Sequence, residues 1–290
     1  MSNEKIVLVT GGTGNQGGAT VDHLLAEKRV RVRVLTRSFD SPKAKRLASL
    51  GIELVRGDFD DSASLTAALV GVSAAFSVQQ FTEKGGVEAE EMRGKRFADA
   101  VKAAGSPHLV YSSVEGAERQ SGIPHFESKW KIEQYIRELK LPATILRPVS
   151  FMDMVPASPL PRAMLLGIFK AKYGLSHRFQ MVATHDIGWF AARALEDPQG
   201  FAGRIIPIAG DELSVGELLQ VYKDFTGHIP MVAPIPSFAA KLMLPKDIEL
   251  MFRWIRDRGF NADITEMRKE YPQLMAFSTW LKIQQSQPNV

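Results

Sequence analysis

The chain contains no cysteine. That absence excludes disulfide frameworks, thiolate metal sites and thiol catalysis together. Histidine is scarce, with six in 290 residues, and no two have the HxxxH or HxH spacing that would aim a pair of imidazoles at one metal ion. No metal is therefore expected. No apolar run reaches the roughly eighteen residues that a membrane span needs. The N-terminus enters a strand-like run without the hydrophobic core of a signal peptide, so the expected location is cytoplasmic. Repeats and low-complexity tracts are also missing. Lysine and arginine number 36 against 32 acidic residues and are interspersed with them. Such a mild excess suits an anionic small ligand as well as nucleic acid. There is no helix-turn-helix pattern or concentrated basic stripe, which argues against direct DNA binding.

What is present is an alternation. "KIVLVTGG" reads as a buried strand, "GATVDHLLAEKR" as a helix, "VRVRVLTR" as a second strand, and "SPKAKRLASLG" as a helix capped by serine and closed by glycine. "IELVRGD", "SAAFSVQQ", "HLVYSS" and "ATILRP" continue the strands, with helical stretches between them that include "VEAEEMRGKRFADAVKAAG" and "HFESKWKIEQY". Six strands separated by helices imply an α/β fold, a doubly wound parallel sheet with right-handed crossovers, and the change of rhythm after Pro148 implies a smaller C-terminal α/β lobe. The expected division is 1–150 as the main sheet domain, with 181–210 returning to it. Residues 151–180 and 211–290 form the lobe. The first of these segments carries prolines, methionines and phenylalanines and reads as irregular, whereas short helices are expected from Pro230 onward.

The richest motif is "VTGGTGNQGG", which joins the first strand to the first helix. Gly11, Gly14 and Gly17 have the spacing GxxGxxG. A tight turn, close approach of backbone to a pyrophosphate and close packing of helix on strand each need glycine, and the helix N-terminus then offers amides and a positive dipole. Thr13, Asn15 and Gln16 complete the expected phosphate turn. At the end of the second strand stand Arg37 and Ser38, with Lys43 one loop away. An arginine there accommodates a 2′-phosphate, so NADP(H) is preferred over NAD(H); an arginine merely solvated at a strand end remains the plain alternative. After the third strand, Asp58 and Phe59 are assigned to the adenine, while Asp60, Asp61 and Ser62 suit capping of the next helix. Gln79 ends the fourth strand and joins the cofactor set.

Taken in order, the TGGTGNQG turn, the arginine after the second strand, "GDFDD", "VYSS" and "RPVSFMDM" resemble the atypical short-chain dehydrogenases/reductases, and more closely the NmrA-like family. "THDIGWFAARALEDP" and "GRIIPIAGDELSVGELLQVYKDFTG" extend the resemblance through the C-terminal half. It implies a Rossmann domain with a small lobe and the nicotinamide between them. It also implies a catalytic serine, tyrosine and lysine. Ser112 and Ser113 occupy the serine region and Lys129 matches the lysine, bonding the nicotinamide ribose. His125 stands where the tyrosine would be, one helical turn before Lys129 and on the same face. An imidazolium could protonate a reduced oxygen; a histidine near a helix start can equally be inert. Pro148 and Phe151, beyond the sixth strand, are assigned to the cofactor, with Met152 and Met154 beside them as candidate pocket lining. Phe252 and Trp254 read as core of the small lobe.

Two functions follow. One is an NADPH-dependent reductase of quinones or similar small carbonyl acceptors, which demand little of a proton donor. The other is a non-catalytic redox sensor that reports NADPH against NADP to a partner protein such as a transcription factor. The expected assembly is a monomer or homodimer.

Overall fold

The computed structural model describes residues 5–105 and 107–286. Among them, seven strands form one parallel sheet in the order β3-β2-β1-β4-β5-β6-β9. These are β1 (Ile6–Thr10), β2 (Arg31–Thr36), β3 (Glu53–Arg56), β4 (Val72–Ser77), β5 (His108–Ser112), β6 (Ala143–Pro148) and β9 (Ile205–Ile208), while β7 (Ser150–Phe151) and β8 (Arg178–Val182) lie elsewhere. The chain steps outward from β1 to β3, then crosses back to β4 beside β1. That reversal is the topological switch point at which doubly wound sheets bind ligands. β1 is apolar up to its last residue and β5 is buried along its whole length, because helices cover both faces of a parallel sheet.

The helices of this stretch of chain are α1 (Asn15–Glu27), α2 (Pro42–Ser49), α3 (Ser62–Ala68), α4 (Gly86–Ala103), α5 (Pro124–Glu138), α6 (Pro159–Tyr173), α7 (Thr184–Glu196) and the short α8 (Pro198–Phe201). α6 belongs to the second of two compact units. The first unit holds the chain up to Gln120, Pro124–Arg147 and Thr184–Ile206. Two close approaches are made by glycine. A Cβ on Gly94 of α4 would lie 2.4 Å from the Ile132 side chain of α5, and one on Gly188 of α7 would lie 2.5 Å from the Ala19 backbone of α1. One core joins Leu8, Phe97, Leu109, Tyr111 and Ile132 beneath the sheet.

The second unit comprises Ser121–Ile123, Pro148–Ala183 and the chain from Pro207 onward. β10 (Asp211–Ser214) pairs antiparallel with β8, and β7 pairs parallel with β8. α9 (Val215–Thr226) opens on a capping box between Ser214 and Glu217, and α10 (Ser237–Met243), α11 (Lys246–Asp257), α12 (Ile264–Glu270) and α13 (Phe277–Ser286) follow. Phe169, Tyr173, Phe179 and Phe252 pack edge to face or tilted, so Phe252 is core as expected, and Trp254 is buried too.

One expectation fails outright. Residues 151–180 are not irregular, because α6 occupies fifteen of them. Its prolines do not break it: Pro159 and Pro161 sit in the first turn, where a missing N–H leaves no helical bond unmade.

Candidate functional site

The glycine turn has the geometry its spacing implies. Gly11 takes φ +63°, a left-handed conformation that favours glycine, and its carbonyl accepts the Gly14 amide at 2.8 Å. A Cβ on Gly17 would lie 2.3 Å from the Gly11 carbonyl oxygen, so the first turn of α1 can pack on the strand end only without a side chain. Gly12, which the spacing does not single out, is also crowded: its Cβ would meet the Val34 side chain at 2.7 Å. Gly14 is the N-cap of α1, which has no side-chain cap and no acidic residue in its first turn. Its leading amides are therefore left for an anion.

Around the turn, Lys43 donates to the Thr13 carbonyl at 3.0 Å, and Ser38 closes the bend after β2 through Thr36 and Asp40. Arg37 is exposed and donates to Glu83 at 3.1 Å. The Asp58 carboxylate accepts the Asp60 amide at 2.9 Å. Phe59 is half-buried and meets Phe97 edge-on at 5.7 Å, so part of the ring assigned to adenine serves the core. Of the expected capping residues, Asp61 accepts the amides of Ala63 and Ser64. Asp60 instead pairs with Arg93 and Arg96, and the Arg93 hydrogen bond holds its carboxyl below the usual range. A carboxylate one residue from the cap reaches the α4 guanidiniums that only the folded chain brings beside it.

The other end of the switch point is buried. Gln79 donates through Nε2 to Ser77 at 2.8 Å, and its Oε1 has no hydrogen-bond partner among the described residues. Its backbone carbonyl accepts from the Lys129 Nζ at 3.5 Å. Lys129 lies 3.0 Å from Glu90 Oε1, and Ser128 donates to the other Glu90 oxygen at 2.5 Å. Glu90 was missed by sequence reasoning, although a signal existed. It shares a helical stripe with Gly94, Phe97, Ala98 and Val101, all buried, and an acid in an apolar stripe needs a partner. Lys129 is thus no solvated helix lysine.

His125 and Lys129 do share one face of α5, but not one environment. The His125 ring stacks on Phe81 with centroids 4.2 Å apart and planes 13° apart, and meets Phe126 edge-on. The two serines also part company. Ser112 donates to Gln16 in the glycine turn at 2.6 Å. Ser113 donates to Glu133 at 2.5 Å, inside a buried pair in which Glu133 accepts from Arg147 at 3.0 and 2.7 Å. Ser113 is therefore committed to that pair rather than offered to a carbonyl. Tyr111, buried in the same layer, has its hydroxyl pushed well above its usual range by burial, then by Glu90 and Glu133. Pro148 ends β6, and Phe151 lies half-buried in β7 of the second unit. Among the described residues no cluster of acids and histidines could hold a metal, and no helix is long and apolar enough to cross a membrane.

A dinucleotide fits what the first unit offers: a cradle that any Cβ at Gly17 would fill, free helix amides beside it, and an orphaned buried acceptor at Gln79. Comparison with known proteins agrees with that shape. A family model described as the NmrA-like family matches residues 3–280. An NmrA-like family domain-containing oxidoreductase, lnbB of Aspergillus flavus, is 31% identical over 288 residues, covering 89% of this chain and 85% of its own. Among solved structures, an NADPH-dependent quinone oxidoreductase of Escherichia coli in complex with NADPH superposes with a TM-score of 0.79 at 22% identity, covering 96% of this chain and 99% of that one. NmrA, a negative transcriptional regulator, gives 0.77 at 20% identity, with 96% and 94% covered.

Proposed function

The chain belongs to the NmrA-like family, and from that premise we propose that it binds NADP(H) and reduces quinones or similar small carbonyl acceptors. The observation that carries this reading is the buried Lys129–Glu90 pair beside Gln79, in a chain whose glycine turn has the steric demands of a dinucleotide cradle. The oxidoreductase name of the A. flavus relative and the NADPH held by the E. coli neighbour support it.

In this reading the Gly11–Gly17 turn, with Thr13, Asn15 and Gln16, holds the pyrophosphate. Arg37, Ser38 and Lys43 receive the 2′-phosphate, and Asp58 and Phe59 flank the adenine. Gln79 and Lys129 serve the nicotinamide end. When bound, the nicotinamide supplies a hydride. Lys129 orients the ribose, with the Glu90 carboxylate balancing its charge. Ser112, tied to Gln16, aligns the turn with the end of β5. A quinone reduced in this way gives an oxyanion stable enough to take its proton from water, so His125, packed against Phe81, is not needed as an acid.

Two observations favour the second reading, a redox sensor without turnover. Ser113 is held by Glu133, and His125 is enclosed by rings, leaving a sparse proton-transfer set. NADPH oxidation measured with a panel of quinones and aldehydes separates the two. The reductase reading expects turnover that falls at least about tenfold in Lys129→Ala, in keeping with the loss of one positioning contact of roughly 1.4 kcal/mol or more. It also expects turnover to survive His125→Phe, with Lys129→Arg reporting whether the buried charge alone maintains the fold. Retained nucleotide binding with no turnover on any acceptor would replace the reductase by the sensor.

A further inference from the structure

The loop between β4 and α4 touches three of the residues assigned above. Its Gln79 carbonyl accepts from Lys129, its Phe81 ring covers His125, and its Glu83 reaches Arg37. Glu83 is divided between two arginines. One oxygen lies 3.1 Å from Arg37 and the other 3.3 Å from Arg93. Arg93 is anchored, since its side chain is only 11% exposed and makes two further bonds to Asp60, at 3.1 and 2.7 Å. Arg37 is loose: its side chain is 66% exposed and its acidic partner is Glu83.

From this arrangement we infer that Glu83 is a specificity-determining residue, occupying on Arg37 the place that a ribose 2′-phosphate takes and yielding it only to a 2′-phosphorylated nucleotide. The inference rests on the reading that Arg37 receives that phosphate. A phosphomonoester carries about −1.5 to −2 charges and three acceptor oxygens, against one charge and two oxygens on Glu83, so the guanidinium gains by the exchange. Glu83 is not stranded, because Arg93 retains it. A 2′-hydroxyl is neutral and cannot compensate the lost pair, so with NADH the Arg37–Glu83 contact stays closed. The pair therefore opposes NADPH alone, by about the strength of one exposed ion pair, and narrows the preference that Arg37 creates.

The test is calorimetric titration of the full chain with NADPH and with NADH, for the parent, Glu83→Gln, Arg37→Ala and the double variant. Glu83→Gln is expected to tighten NADPH about two- to fivefold, the effect of one exposed pair, while NADH affinity stays the same. In the Arg37→Ala background the Glu83 substitution is expected to change neither nucleotide. NADPH affinity unchanged or weakened by Glu83→Gln, or an equal shift for both nucleotides, overturns the inference and leaves the cofactor reading standing. NADPH affinity indifferent to Arg37→Ala, or no binding of either nucleotide, overturns the 2′-phosphate reading and the inference with it.

Discussion

Two ion pairs of nearly equal length sit at opposite ends of the candidate cofactor site, Arg37–Glu83 at 3.1 Å and Lys129–Glu90 at 3.0 Å. The first is open to solvent. In the second, the lysine side chain is 13% exposed and the glutamate is fully buried. Distance is therefore a poor guide to what either pair does. In water-like surroundings a pair is worth a fraction of a kcal/mol and exchanges partners freely. In a low-dielectric interior neither partner can leave without stranding a charge. The recognition end is thus exchangeable, while the end assigned to chemistry is set before any ligand arrives.

Breaking the buried member is expected to have the largest effect. Glu90→Ala leaves the Lys129 ammonium without its carboxylate and should lower unfolding free energy by about 3–5 kcal/mol, measured by urea denaturation. A loss below about 1 kcal/mol would mean that this pair behaves like the exposed one. The buried layer should also respond to acid. His108 is buried on β5 with Nε2 on Thr144 at 2.9 Å, and burial lowers its pKa from 6.5 to about 4. The neutral form is favoured in the folded state, so the unfolded chain binds more protons between these values. Stability is complete above about pH 6.5 and falls as pH drops towards 4, by up to about 3 kcal/mol below that. Urea midpoints across this range should slope in the parent and flatten in His108→Gln.

A smaller effect on stability is expected at the glycine turn. Gly17→Ala places a methyl 2.3 Å from the Gly11 carbonyl oxygen and should cost about 1–3 kcal/mol, together with a loss of nucleotide affinity visible by titration. Ordinary stability and affinity would show that the turn has more room than its geometry implies. The smallest change belongs to the exposed pair. Arg37→Ala should shift stability by no more than about 1 kcal/mol and less at high salt, with its effect appearing instead as weakened NADPH binding.

How much of this was legible depended on the range of the interaction involved. The glycine turn, the strand rhythm and the Ser41 and Asp61 caps were readable because each is made by residues within a few positions of one another. The pairing of His125 and Lys129 on one helix face was readable for the same reason. Their different surroundings were not, since Phe81 and Glu90 come from a loop and a helix some forty residues away. Ser113 illustrates the limit. Beside Ser112 in "VYSS" it looks equivalent, but alternation along the chain sends it to Glu133 and Arg147 while its neighbour meets Gln16. The α6 helix was hidden by prolines that are harmless in a first turn.

The α/β alternation and the glycine turn could be read along the chain because local backbone preference and apolar periodicity act there, and the order of the motifs carried the family resemblance. Only the tertiary structure decided which charges are buried. Lysine and glutamate read alike in any helix, and it is the packing of α4 and α5 on β5 that removes water from Glu90 and Lys129 while leaving Arg37 and Glu83 in it. Dielectric surroundings belong to the folded molecule, and with them the difference between a contact that is exchanged and one that is kept.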